Sequence, residues 1–136
     1  MTPNWQEFLG ASGARIDRGM VADFGDLAAE LAAARDATVM SPLVHLGLIE
    51  CAGADAMTFL HNQLTSDINH LAPGSAQHSA WCTAKGRMLA SFLLYRLGSD
   101  YRALLSSDLL AAIQKRLQMF VLRSKVNISD LSCSNE

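Results

Sequence analysis

Several features that identify particular protein classes are scarce in this chain of 136 residues. It has only three cysteines, Cys51, Cys82 and Cys133, and no Cys-x-x-Cys pair, which argues against a disulfide scaffold and a zinc site. The four histidines do not stand at metal-ligand spacing on a helix, so we expect no metal. No run approaches the roughly 20 apolar residues that cross a bilayer, and no signal-peptide pattern is present.

An excess of positive charge is also missing. The chain has 11 Lys and Arg against 13 Asp and Glu, a formal net charge of -2, and a pI of about 6.0. This balance gives no electrostatic reason to expect direct nucleic-acid binding. Half of the residues are hydrophobic, and a chain of this length can bury a core without disulfide bonds or bound metals. We therefore expect one domain over residues 1–136, located in the cytoplasm, without a membrane partner.

Hydrophobic periodicity predicts an α+β fold. Residues 1–42 are expected to form a helical N-terminal arm, in which Asp26 caps a helix that begins at Leu27. The core, residues 43–131, is predicted to have the order β-α-β-β-β-α-β, with elements at 44–51, 55–71, 77–83, 88–97, 101–106, from Ser107 onward, and 125–131. This order implies an antiparallel sheet with helices packed on one side.

A polar run ends the predicted long helix. Residues 59–68 read F-L-H-N-Q-L-T-S-D-I, and the apolar positions around them repeat at helical spacing. We interpret this stretch as the second half of an amphipathic helix that presents Gln63, Thr65 and Asp67 near its end. Such side chains recognise polar ligand edges. A Gln-x-Thr-x-Asp run is also typical of a C-terminal helix cap, and that alternative stays open.

A second stretch, residues 82–89, reads C-T-A-K-G-R-M-L and is predicted to turn the chain between two strands. Gly86 permits the turn backbone, and Lys85 and Arg87 place two cations beside it, which suits an anion. Met88 follows directly, and Trp81 precedes the turn, where its ring could stack on a planar ligand. A solvated hairpin and an ordinary core tryptophan are the alternatives.

Taken in order, A-G-A-D, F-L-H-N-Q-L-T-S-D-I, C-T-A-K-G-R-M and S-K-V-N-I resemble the N-terminal part of the YgfZ-type folate-binding proteins. These are relatives of the glycine-cleavage T-protein, an aminomethyltransferase. The resemblance covers residues 48–128 and implies the same α+β fold. It implies a module that binds tetrahydrofolate and serves iron–sulfur cluster maintenance and tRNA modification, with iron–sulfur proteins as clients. The implied folate contacts are Gln63, Thr65, Asp67, Trp81, Lys85, Gly86, Arg87 and Met88.

The chain departs from that family pattern in two places. T-proteins carry an acidic pair soon after the glycine turn, one member of which is essential for aminomethyl transfer; Ala90 and Ser91 stand there instead. The Lys-Gly-Cys signature of the second half of YgfZ-type proteins is absent, so we expect a piece of a longer protein. We assign no catalytic residue, and we expect weak self-association through a partly apolar wall. An aminomethyltransferase and a ligand-free interaction domain remain the alternatives.

Overall fold

A computed structural model describes residues 3–132; residues 1, 2 and 133–136, including Cys133, lie outside the described part. The chain divides into two compact units, and their described parts are residues 3–45 and residues 46–132. The expectation of one domain belonging to a longer protein stays a prediction.

The first unit consists of two helices and a small hairpin. Its elements are α1 (Pro3–Ala11), β1 (Arg15–Asp17), β2 (Met20–Asp23) and α2 (Leu27–Asp36), with β1 and β2 antiparallel. The cap predicted at Asp26 is confirmed, because its side chain accepts a hydrogen bond from the Ala29 N–H at 3.0 Å. β1 was not predicted, since three residues are too few to show an alternating pattern. No residue of α2 is buried.

The second unit has the predicted order β-α-β-β-β-α-β. Its elements are β3 (Leu46–Ala52), α3 (Ala56–Gln63), β4 (Ala76–Cys82), β5 (Met88–Leu97), β6 (Asp100–Ser106), α4 (Ser107–Val121) and β7 (Asn127–Asp130). The five strands form one sheet in the order β4-β5-β6-β3-β7, and every neighbouring pair is antiparallel. The expected fold class is therefore confirmed.

The core lies between one face of this sheet and both helices. β5 alternates, so that Ala90, Phe92 and Leu94 are buried while the residues between them are more exposed. The helices contribute Phe59 and Leu60 from α3, and Leu110, Ile113 and Leu117 from α4. Helices packed on one side, as predicted, leave the opposite sheet face uncovered by α3 and α4.

The prediction that the helix before β4 runs to Leu71 is wrong. α3 ends at Gln63, and Leu64 adopts an extended conformation (φ -103°, ψ 162°). Leu64 forms a bridge with Trp81, and the Thr65 N–H donates to the Ala80 carbonyl at 2.9 Å. Pairing with β4 supplies backbone hydrogen bonds that compete with another helical turn. Leu64 and Ile68 still pack in the core. Apolar side chains at helical spacing are therefore buried here although the chain is not helical.

Two smaller boundaries also differ. β3 begins at Leu46, and His45, predicted inside that strand, is an exposed turn residue. Ser106 rather than Ser107 occupies the cap position of α4, and its side chain makes no capping hydrogen bond. Such shifts of one or two residues leave the topology unchanged.

Candidate functional site

The turn between β4 and β5 is held by its own backbone. The Thr83 N–H donates to the Arg87 carbonyl at 2.8 Å, and the Gly86 N–H donates to the Thr83 carbonyl at 2.9 Å. The Thr83 hydroxyl accepts from the Arg87 N–H at 3.1 Å. Gly86 has φ 77°, a conformation that favours glycine. Lys85 is exposed on a fixed turn, as the sequence predicts.

The cations of this turn are free to meet an anion. Lys85 and Arg87 are both exposed, and neither joins an ion pair within residues 3–132. Met88 is 64% exposed and opens β5 beside them. The turn therefore offers two positive charges and one flexible apolar side chain to solvent.

Gln63 and Thr65 lie on different surfaces. Gln63 ends α3 and lines a cleft of about 280 Å³ together with Asp55, Thr58, Phe59, Asn62, Phe120 and Ser124. Thr65 is instead bound to β4, where its hydroxyl accepts from the Ala80 N–H at 3.0 Å. One lone pair of that hydroxyl is therefore already occupied.

Asp67 is tied to its own loop. Its carboxylate meets the His70 ring at 2.5 Å, accepts from the Asn69 N–H at 3.0 Å and approaches the His61 ring at 3.4 Å. The hydrogen bond with His70 lowers the pKa of the Asp67 carboxyl, and the Asn69 N–H adds to the effect. The ionised Asp67 carboxylate is therefore stabilised by its neighbours.

The structure does not bring Asp67 to the Lys85 turn. The Asp67 carbonyl accepts from the Gln77 side chain at 3.1 Å, near the start of β4. The turn begins at Thr83, six positions further along, which corresponds to about 20 Å of extended chain. A ligand that contacts both Asp67 and Lys85 has to span most of the length of β4.

A partly buried polar network fixes the loop between these points. Ser66 donates to the Ser79 hydroxyl at 2.7 Å, and Gln77 donates to Ser66 at 3.1 Å. Ser79 is 7% exposed. The loop that carries Thr65 and Asp67 is thereby anchored to β4 through side chains as well as backbone.

Trp81 is a core residue on the helix-covered face. It is 4% exposed, the Phe120 ring meets it edge-on at 5.7 Å, and the Arg116 guanidinium lies over it at 5.9 Å. Stacking of a ligand on this ring requires these neighbours to move. Its role in ligand binding stays a prediction.

Ala90 and Ser91 point to opposite sides of the sheet. Ala90 is 4% exposed and pairs with Trp81 on the helix-covered face. Ser91 is exposed and pairs with Ala80. Neither side chain is a carboxylate, so this stretch holds no fixed negative charge.

A charged pair on the uncovered sheet face was missed by the sequence analysis. Arg102 on β6 donates to the Glu50 carboxylate on β3 at 3.1 Å, and the two side chains are 29% and 19% exposed. The hydrogen bond with Glu50 raises the pKa of Arg102. Leu48 and Leu104 pair beside it. This second polar surface can be identified only from the register of β3 and β6, which places position 50 opposite position 102.

Membrane spans and metal clusters are both absent from the described part of the chain. No helix within residues 3–132 is long and apolar enough to cross a membrane. No group of three or more His, Cys, Asp or Glu side chains in the same range is arranged to hold a metal ion.

Known proteins resemble this chain in sequence and in fold. The profile of the GCVT N-terminal domain matches residues 13–134. An aminomethyltransferase of Lysinibacillus sphaericus is 30% identical over 103 residues, which is 74% of this chain and 28% of that protein. An uncharacterised protein of Haemophilus influenzae is 37% identical over 86 residues, covering 62% of this chain and 31% of that protein.

The fold is shared with a solved structure. The glycine cleavage system aminomethyltransferase T of Bartonella henselae superimposes with a TM-score of 0.74 at 18% identity, covering 97% of this chain and 38% of that chain. The chain thus spans about a third of the length of such relatives. Since the family profile covers most of its residues, this protein belongs to the GCVT N-terminal domain family, the family of the glycine-cleavage T-protein.

Proposed function

We propose that this chain is a tetrahydrofolate-binding module of the YgfZ type, acting in the cytoplasm in iron–sulfur cluster maintenance and tRNA modification. Membership of the T-protein family supports a folate ligand. The neutral Ala90 and Ser91 support the YgfZ branch over the aminomethyltransferases. Iron–sulfur proteins are the proposed clients. The proposed folate contacts are Gln63, Thr65, Asp67, Trp81, Lys85, Gly86, Arg87 and Met88.

The observation that carries this proposal is the exposed pair Lys85 and Arg87 on a turn fixed by Thr83 and Gly86. Folate ends in a glutamate tail, and its carboxylates suit two cations that have no competing acid among the described residues. A fixed turn also loses little conformational freedom when it binds a ligand.

Titration of a reduced folate tests this role of the turn. We expect Lys85→Ala to weaken binding by a few-fold, since an exposed charge pair contributes about 0.2–1 kcal/mol. The loss should shrink as salt is added. Arg18→Ala, an exposed cation in the first unit, is the matched control. A loss that ignores salt, or an equal loss in the control, would contradict binding at this turn.

The same proposal excludes aminomethyl transfer by this chain. The positive charge that develops on the folate amine needs a fixed negative partner, and neither the methyl of Ala90 nor the hydroxyl of Ser91 supplies one. Folate-dependent release of ammonia from an aminomethylated carrier protein, above a reaction without this chain, would favour the aminomethyltransferase alternative instead.

A further inference from the structure

Helix α2 carries an apolar surface that the chain leaves open. Leu27 and Leu31 stand four positions apart on one helix face and are 61% and 64% exposed. Phe24, just before the helix, is 37% exposed. A helix with no fully buried residue gains little from the hydrophobic effect until something covers it.

This surface, which we call the α2 surface, is acidic. Residues 20–36 contain Asp23, Asp26, Glu30 and Asp36 against a single cation, Arg35. Four negative charges and one positive charge give -3 for the segment, and the ion pair of Arg15 with Asp23 reduces this to -2. Their local hydrogen bonds are exposed, so the negative field extends into solvent.

The end of α4 forms the opposite kind of surface, which we call the α4 patch. Four of the eleven Lys and Arg residues of the chain fall within residues 115–125, and no Asp or Glu does. All four are exposed, and none forms an ion pair within residues 3–132. The patch comprises Lys115, Arg116, Met119, Phe120, Leu122, Arg123 and Lys125.

The apolar members of the α4 patch are also open. Met119, Phe120 and Leu122 are 64%, 46% and 88% exposed. Leu122 has φ 45°, in the left-handed region that a leucine rarely adopts.

The two surfaces are opposite in charge, and both expose apolar side chains. With the ion pair of Arg15 and Asp23 included, the α2 surface carries -2 and the α4 patch +4, and each adds exposed apolar side chains. We propose that α2 of one copy of this chain docks on the α4 patch of a second copy.

Such a contact joins two different surfaces, so the dimer keeps one surface of each kind free, and association extends head to tail. A nucleic acid or a membrane would account for the α4 patch but not for the acidic and apolar α2 surface. The net charge of -2 also opposes a large polyanion. The Lys85 turn lies outside both surfaces, whereas Phe120 and Arg116 of the α4 patch contact Trp81, one of the proposed folate positions.

Sedimentation of wild type and two variants tests the contact. One variant damages the α2 surface (Glu30→Lys with Leu31→Ser), and the other damages the α4 patch (Lys115→Glu with Arg123→Glu). We expect the wild-type mass to rise over a roughly hundredfold range of concentration, less so at high salt. Each variant alone should remain a monomer. An equimolar mixture of the two variants should form a heterodimer and no larger species, because the pair has only one intact α2 surface and one intact α4 patch.

The controls separate lost docking from lost folding. Arg18→Glu with Met40→Ser alters exposed residues outside both surfaces and should associate like the wild type. Circular dichroism should show unchanged folding in all variants. A monomeric wild type at every concentration overturns the proposal. Association that survives both variants, or a mixture that stays monomeric, overturns it as well.

Discussion

At the scale of single residues, an aspartate introduced at position 90 would have different surroundings from one introduced at position 91. Position 90 faces Trp81 in the core, whereas position 91 faces solvent. An unpaired buried carboxylate pays for desolvation, so we expect Ala90→Asp to lower the free energy of unfolding by about 3 kcal/mol or more. Ser91→Asp should stay within about 0.5 kcal/mol. Urea denaturation of both variants measures the difference, and equal destabilisation would contradict the assigned strand faces.

Two cysteines of the same sheet should react very differently. Burial raises the pKa of the Cys51 thiol to about 12, so at pH 8 about one thiol in ten thousand is ionised. Cys82 is only half-buried. We expect iodoacetamide to label Cys82 in the folded chain and Cys51 only in denaturant. Mass spectrometry of the digested protein distinguishes the two sites, and rapid labelling of Cys51 in buffer would contradict its burial.

At the scale of elements, Gly53 connects β3 to α3 where the chain returns from α4. A Cβ at Gly53 would lie 2.2 Å from the Lys125 carbonyl oxygen, and φ is 124°. The Asp55 carboxylate also accepts from the Lys125 N–H at 2.7 Å. Gly53→Ala should therefore separate these segments and cost several kcal/mol, beyond the usual penalty of strained backbone.

Gly98 gives the matched control for this change. It also has a left-handed backbone, with φ 62°, but no atom lies within 4 Å of the position that an added Cβ would take. Gly98→Ala should cost about 1–2 kcal/mol from backbone conformation alone. Thermal unfolding of the two variants compares them, and similar losses would mean that the contact with Lys125 is unimportant.

Periodicity predicted the strands well and the helix before β4 poorly, for a physical reason. β3 and the middle of β5 alternate cleanly because one sheet face is buried. The error at Leu64 arose because its backbone pairs with Trp81, a residue 17 positions away that no local pattern reveals. For the candidate site, the Lys85 turn is local and was visible in the sequence. The pair Glu50 and Arg102 depends on strand order and was not.

At the scale of the whole molecule, the candidate folate surface is one open wall. The Lys85 turn, Thr65 and Asp67 lie along β4 and are exposed, whereas a folate-sized ligand requires a pocket of roughly 300–1,000 Å³. We expect this chain to fold alone but to bind a reduced folate more weakly than micromolar. Each 1.4 kcal/mol of missing contact costs about tenfold in affinity. Calorimetry decides this, and micromolar or tighter binding by the monomer would show that one wall suffices.

The strand order has a consequence for synthesis of the chain. β3 is the first strand of the large sheet in chain order, yet it lies between β6 and β7, the last described strand of that sheet. Until residues 127–130 leave the ribosome, the edge of β3 that later pairs with Ile128 presents unpaired backbone groups. Such an edge is a template for another nascent chain. We therefore expect mispairing between nascent chains to be greatest on polysomes, just before residues 127–130 pair with β3.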